Sequence, residues 1–200
     1  MPYSGMKRIL CVGSLAVLSA CASIQAPPPP SAGAGMHAVE LSDGSAARVA
    51  GALRWSVANV SEVVWQAHAE IDDEQKEKLC AILRQALKHD LQAPPTSDGR
   101  VIQVRARIIE VTGASPALNV ASSILLFVPV DRGGASVEID AVDQATGQRL
   151  ASLTMAGSGQ LGDFSGHFSR YGHAEEVLRR AATSFRRLLE NENEPASQHS

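Results

Sequence analysis

The sequence predicts an α+β domain built as a two-layer sandwich, in which about four strands form a mixed or antiparallel sheet and two amphipathic helices pack on one face. Three observations carry that expectation. Leu79, Ile82, Leu83, Ala86, Leu87 and Leu91 recur at intervals of three and four, as do Ala174, Val177, Leu178, Ala181, Ala182, Phe185, Leu188 and Leu189. That is the spacing of a helix with one buried side. Val101 to Val111 and Ala135 to Asp143 alternate apolar and polar residues, as strands do in a sheet wet on one face. Ala145-Thr146-Gly147-Gln148 then supplies a Gly-containing turn of the kind that joins neighbouring antiparallel strands. One-sided helices and a one-sided sheet bury their apolar faces by stacking.

Taken in order, the chain opens on residues 1–20, which read as a leader: Lys7 and Arg8, an apolar run from Ile9 to Leu18, then small residues before a cysteine. Ten apolar residues fall well short of the ~20 that cross a bilayer as a helix, so the run reads as a cleaved signal. Leu18-Ser19-Ala20-Cys21 resembles the lipobox of bacterial lipoproteins. The resemblance implies that the Cys21 thiol receives a diacylglyceryl group and becomes the new N-terminus. Ala22 follows where enteric inner-membrane lipoproteins carry aspartate, which implies the outer membrane, facing the periplasm. More than one acyl chain is needed for stable anchoring, and a diacylglyceryl group meets that need.

Cleavage removes Lys7 and Arg8 and no acid, so 16 basic residues remain against 21 acidic ones and the formal charge passes from −3 to −5. A mildly acidic chain with dispersed charge gives no electrostatic reason to expect nucleic acid as a partner. Cys11 leaves with the leader and Cys21 is lipidated, which leaves Cys80 alone. No disulfide within the chain is then available, and Cys80, on the stripe of the first helix, reads as a small buried apolar residue.

Residues 21–49 contain Pro27 to Pro30 and Ser31-Ala32-Gly33-Ala34-Gly35, an extended and then flexible composition that reads as a tether. The folded unit is expected over 50–191 and a polar tail over 192–200. Leu53 to Trp65, rich in β-branched and aromatic residues, reads as the first strand. Asp72 with Gln75 three residues on reads as a helix start, and Pro94-Pro95 as its stop. Arg105 and Arg107 fall opposite the apolar face of the 101–111 strand, as a solvated face. Residues 119–130 are apolar and too short to span a membrane; they read as a cap on the core, with a partner-binding loop as the alternative.

Two motifs tempt a catalytic reading. Gly157-Ser158-Gly159-Gln160-Leu161-Gly162 spells a dinucleotide fingerprint, but that motif needs its last glycine inside the first turn of a helix. Here Asp163 to Ser169 intervenes, so no nucleotide or other cofactor is expected. Asp163, Ser165, His167, Ser169 and His173 include every residue type of a hydrolytic triad, yet such residues must converge from separate elements beside an oxyanion hole. His167 and His173 have too few partners for a zinc site, so no metal is expected.

Gly133-Gly134-Ala135-Ser136-Val137-Glu138-Ile139-Asp140-Ala141-Val142-Asp143, followed by Ala145-Thr146-Gly147-Gln148-Arg149-Leu150, resembles the DUF3313 family of bacterial lipoproteins. There a glycine-led strand, a D-x-x-T-G turn and a short return strand precede a C-terminal helix. The resemblance implies an envelope address and an α+β fold over roughly Trp55 to Leu189, and no catalytic residues, since the family has no assigned activity. The apolar 119–130 segment departs from it. The expected function is that of a non-enzymatic outer-membrane lipoprotein whose domain binds another envelope component. The alternatives are an envelope hydrolase using the Asp163–His173 loop and a carrier of a small apolar ligand.

Overall fold

In a computed structural model of the protein, the structure describes residues 35–41, 44–50, 53–92, 99–113, 133–158 and 170–190. Strands β1 (Met36–Leu41), β2 (Gly44–Val49), β3 (Trp55–Val60), β4 (Val64–Trp65), β5 (Arg100–Thr112), β6 (Gly134–Asp143) and β7 (Arg149–Ser158) form one mixed sheet in the order β1-β2-β7-β6-β5-β3, with β4 also on β5. Helices α1 (Asp73–Asp90) and α2 (Gly172–Glu190) complete the α+β architecture. β3 and β4 run parallel to β5, and the remaining pairs are antiparallel.

The expected four-stranded sheet is an undercount. Residues 36–49, taken as part of the tether, form the β1–β2 hairpin, and β2 pairs with β7 from Gly44↔Met155 to Arg48↔Ala151. Ala46 and Ala47 carry little apolar signal of their own, and what holds them extended is the neighbouring strand. The single strand expected over Leu53 to Trp65 is two, because the chain leaves the regular ladder at Ser61, whose backbone N–H and Oγ both donate to the Val104 carbonyl.

The elements read from periodicity hold. Asp72 caps α1, its carboxylate accepting from the Gln75 N–H at 2.8 Å, which satisfies one of the free amides at the helix start. Leu79, Leu83 and Leu87 of α1 and Leu178, Ala181, Ala182 and Phe185 of α2 are fully buried, against Ile139, Leu153 and Met155 of the sheet. Each large side chain so buried contributes roughly 1.5–3 kcal/mol. The helices run in the same direction: Lys78 meets Glu175 at 2.7 Å near their starts, and Thr183 donates to Asp90 at 2.9 Å further along.

Two bulges explain where alternation fails. The β5–β6 register shifts between Ile108 and Glu110, which moves the buried set from Ile102, Val104, Ala106 and Ile108 to Val111. In β7 the shift falls opposite Ala141 and Val142, so Leu150 and Ala151 are buried in succession. An extra residue in one strand flips every later side chain to the other face. Among the described residues no helix is long and apolar enough to cross a membrane.

Candidate functional site

Both helices cover the face built by Val104, Ile108, Val137, Ile139, Leu153 and Met155. The opposite face, helix-free among the described residues, is where this sheet concentrates polar chemistry. Register builds it in rungs. Arg105 stands beside Asp140, Ser152 and Ala47, while Arg107 stands beside Glu138, Thr154 and Ser45. The alternation of β5 and β6 sends these residues to one side, and antiparallel pairing brings opposite charges abreast, which is the favourable cross-strand arrangement.

Asp140 is the centre. It is only 8% exposed, and its Oδ1 accepts from Ser152 Oγ at 2.7 Å. Arg107 approaches its Oδ2 at 3.3 Å and Glu138 at 2.7 Å, and Arg149 Nε lies 3.7 Å from Oδ1. Two guanidinium groups therefore balance two carboxylates. Burying a carboxylate costs least when it is both paired and hydrogen-bonded, and Asp140 is both. Among the described residues, the hydroxyls of Ser45, Ser136 and Thr154, all on this face, find no hydrogen-bond partner. Arg105 is exposed and donates to Gln103 Oε1 at 3.0 Å, so the two arginines belong to a solvated, charge-matched face, as their spacing predicts.

Ser152 donates to a carboxylate with no imidazole between them, and no histidine lies on β2, β5, β6 or β7. A serine nucleophile needs a base in hydrogen-bond reach that is itself held by a third group. Among the described residues no group of three or more His, Cys, Asp or Glu could hold a metal ion.

The residues singled out from sequence lie elsewhere or outside the described residues. Cys21 and its lipobox, the 119–130 segment, and Asp163, Ser165, His167 and Ser169 all lie outside them. His173 is described: it is buried in the first turn of α2, Nδ1 3.7 Å from a Glu176 carboxylate oxygen, on the helical side of the sheet and so remote from the Asp140 cluster. Gly157, first of the fingerprint glycines, has a packing role. A Cβ there would meet Arg180 Nη2 at 2.5 Å and Val177 Cγ2 at 3.2 Å, so its lack of a side chain lets α2 lie close to β7. Cys80 is half-buried rather than buried, packed against the core. Burial pushes its thiol up and the Glu62 charge adds to this, while Arg84 opposes them, which keeps the sulfur protonated and a poor nucleophile.

The D-x-x-T-G turn is structural as well. Asp143 Oδ1 accepts from the Ala145 and Thr146 amides at 2.9 and 3.0 Å, Gly147 takes φ 71°, and Arg100 sits 3.2 Å from Asp143 Oδ2. Side chains that fold back on backbone amides in this way define tight turns. Sequence reasoning missed the Asp140–Ser152 pair and the buried Arg48, whose Nη1 donates to the Leu188 carbonyl at 2.9 Å. The first depends on strand register, and the second sits in a strand whose own residues give almost no periodic signal.

No family model matches the chain, and none of the curated proteins is similar to it in sequence. Among solved structures, the PelC dodecamer from Paraburkholderia phytofirmans is similar at 10% identity over 74% of this chain and 96% of that one, with a TM-score of 0.43. A neuraminyllactose-binding hemagglutinin homolog from Helicobacter pylori is similar at 9% identity over 68% and 82%, with a TM-score of 0.36. A DUF330 protein from Xanthomonas campestris is similar at 6% identity over 69% and 90%, with a TM-score of 0.35. Likenesses this low bear on neither the activity nor the partners of this chain.

Proposed function

We propose that this chain is a non-enzymatic, lipid-anchored outer-membrane protein of the DUF3313 kind, whose domain binds another component of the envelope from the periplasmic side. The observation that carries the reading is the leader: Lys7-Arg8, the apolar run and Leu18-Ser19-Ala20-Cys21. A charged start, a short apolar segment and a small-residue cleavage site are the parts that secretion and lipidation require. What supports a binding role is the charge-matched face around Asp140, which offers donors and acceptors without a nucleophile and base in contact.

The test has two stages. Mass spectrometry of the N-terminal peptide from the membrane fraction is expected to find Cys21 acylated, with a Cys21→Ser chain released from the membrane. An unmodified Cys21 in a freely soluble chain would overturn the address. Affinity purification of the anchored protein is then expected to recover one reproducible envelope partner, and the exposed substitution Arg105→Glu to reduce that recovery without lowering the melting temperature. Recovery that is not reproducible, or that ignores Arg105→Glu and its neighbours on this face, would count against the binding role.

A further inference from the structure

The helical layer sorts charge along its length. Both helices run in the same direction, and their opening turns carry the acids Asp73, Glu74 and Glu77 of α1 and Glu175 and Glu176 of α2. Further along, the exposed charges are cations: Arg84 and Lys88 of α1, Arg179 and Arg187 of α2. None of these four makes a salt bridge among the described residues. The acids of the same stretch are already engaged, Asp90 by His89 and Thr183 at 2.9 Å each and Glu190 by Arg186 at 2.8 Å. A cation in a last helical turn suits the helix dipole, but that effect fades within one turn, and Arg84 and Arg179 lie deeper. The chain as a whole has a formal charge of −3, so the patch arises from segregation and not from an excess of bases.

The chain that leads back to Cys21 enters the domain at this same end. Met36, the first residue of β1, pairs with Val49, and the neighbouring Arg48 donates to the Leu188 carbonyl in the last turn of α2. Cys21 lies 15 residues before Met36, a length that reaches at most about 50 Å. We propose that the cationic patch docks on the anionic phospholipid headgroups of the layer that holds the anchor, a placement that rests on the lipid-anchor reading above. Charge complementarity selects an anionic partner, and spacing selects a surface. Arg84 and Lys88 stand about one helical turn apart and Arg179 and Arg187 about two, on two helices side by side. They are too widely spread to converge on one phosphate, and they match a plane of them. The short link holds the patch at high local concentration beside that plane, so contacts that are weak one by one suffice. Each Lys or Arg close to an anionic surface strengthens binding by about fivefold.

Flotation of the full chain tests this, with vesicles of about 30% phosphatidylglycerol in phosphatidylcholine set against phosphatidylcholine alone. The anchor and the apolar leader favour both vesicles alike, and Lys7 and Arg8 are the same in every variant. The ratio of the two partition coefficients, compared between variants, therefore reads the patch. Arg84→Glu and Lys88→Glu are each expected to lower that ratio by at least about fivefold, and about 0.5 M salt to remove the difference from the parent. Both side chains are exposed, so circular dichroism and thermal unfolding are expected to stay as in the parent. Arg170→Glu makes the same change of charge just before the start of α2 and is expected to leave the ratio within about twofold. A ratio indifferent to Arg84→Glu and Lys88→Glu, or lowered equally by Arg170→Glu, would overturn the proposal. A preference abolished by about 10 mM inorganic phosphate at constant ionic strength would overturn it in favour of a small soluble anion. The anchor is read separately: dependence on Arg84 and Lys88 with an unmodified Cys21 would support the patch and remove the anchor, whereas acylated Cys21 without that dependence would remove the patch alone.

Discussion

Asp140 and Asp143 stand three residues apart on the same strand and do different work. Asp140 joins β5, β6 and β7 by side-chain contacts across the helix-free face, with Ser152 at 2.7 Å and Arg107 at 3.3 Å. Hydrogen bonds to a charged group contribute about 1.5–3 kcal/mol, and an orphaned buried partner costs more than a neutral pair is worth. Asp140→Ala is therefore expected to destabilise the domain by about 2–3 kcal/mol, and Ser152→Ala by about 1 kcal/mol, measured by urea unfolding. Asp143 works locally on the turn. Its carboxyl is held below the ordinary carboxylate range, chiefly by the Thr146 amide, helped by the Ala145 amide, the Thr146 hydroxyl and Arg100, with burial opposing. A carboxyl lowered on folding contributes stability that is present above its unfolded value, about pH 4, and is lost as pH falls through the lower native value. Asp143→Asn is expected to flatten the acid limb of stability between about pH 4 and the lower native value, read as melting temperature against pH, with little change at pH 7 beyond a constant offset.

The β1–β2 hairpin is the element whose attachment is most easily broken. It is held by the β2–β7 ladder and by Arg48, which reaches across to the last turn of α2 and gives its Leu188 carbonyl a donor. Carbonyls at a helix end have no partner within the helix, and a cation there also suits the helix dipole. Gly44 lets β2 come close: a Cβ there would collide with the Thr154 backbone carbonyl, an atom that no side-chain motion can clear. Gly44→Ala is expected to cost about 1–3 kcal/mol, and Arg48→Ala about as much. Both are expected to act on one unit, so native-state hydrogen exchange should show faster exchange over Met36–Val49 in each variant, while amides of β6 keep their protection. Equal acceleration in β6 would mean that the hairpin opens only with the whole sheet.

For the molecule as a whole, one core ties the layers. α1 follows β4 and packs beside it and α2, while α2 packs on β6 and β7, and Leu79, Leu83, Phe185, Ile139 and Leu153 belong to a single buried cluster. Trp55 is 7% exposed, with its indole N–H donated to the Leu91 carbonyl just past α1, so tryptophan emission reports the sheet edge and the helix end together. A single cooperative transition is expected, with emission and far-ultraviolet circular dichroism giving coincident denaturant curves. A separate earlier transition in emission would mean that β3 and β4 melt ahead of the helices.

Where burial follows a period, the sequence by itself determined the outcome: both helices with their buried faces, the alternation of β5, and the β6–β7 hairpin and its turn. Those features are encoded within a few neighbouring residues, through 3.6- and 2-residue spacing, an Asp cap and the φ 71° that Gly147 accepts. Only the tertiary structure decided the rest. β2 is a strand because β7 lies beside it and β1 because β2 does, and Asp140 gathers Ser152 and Arg107 because three strands meet in one register. Val57 and Val101 stand exposed side by side because, among the described residues, β3 is the terminal strand of the sheet. Each of these is a relation between distant parts of the chain, fixed by pairing and by bulges that shift register, and a local pattern carries no record of it.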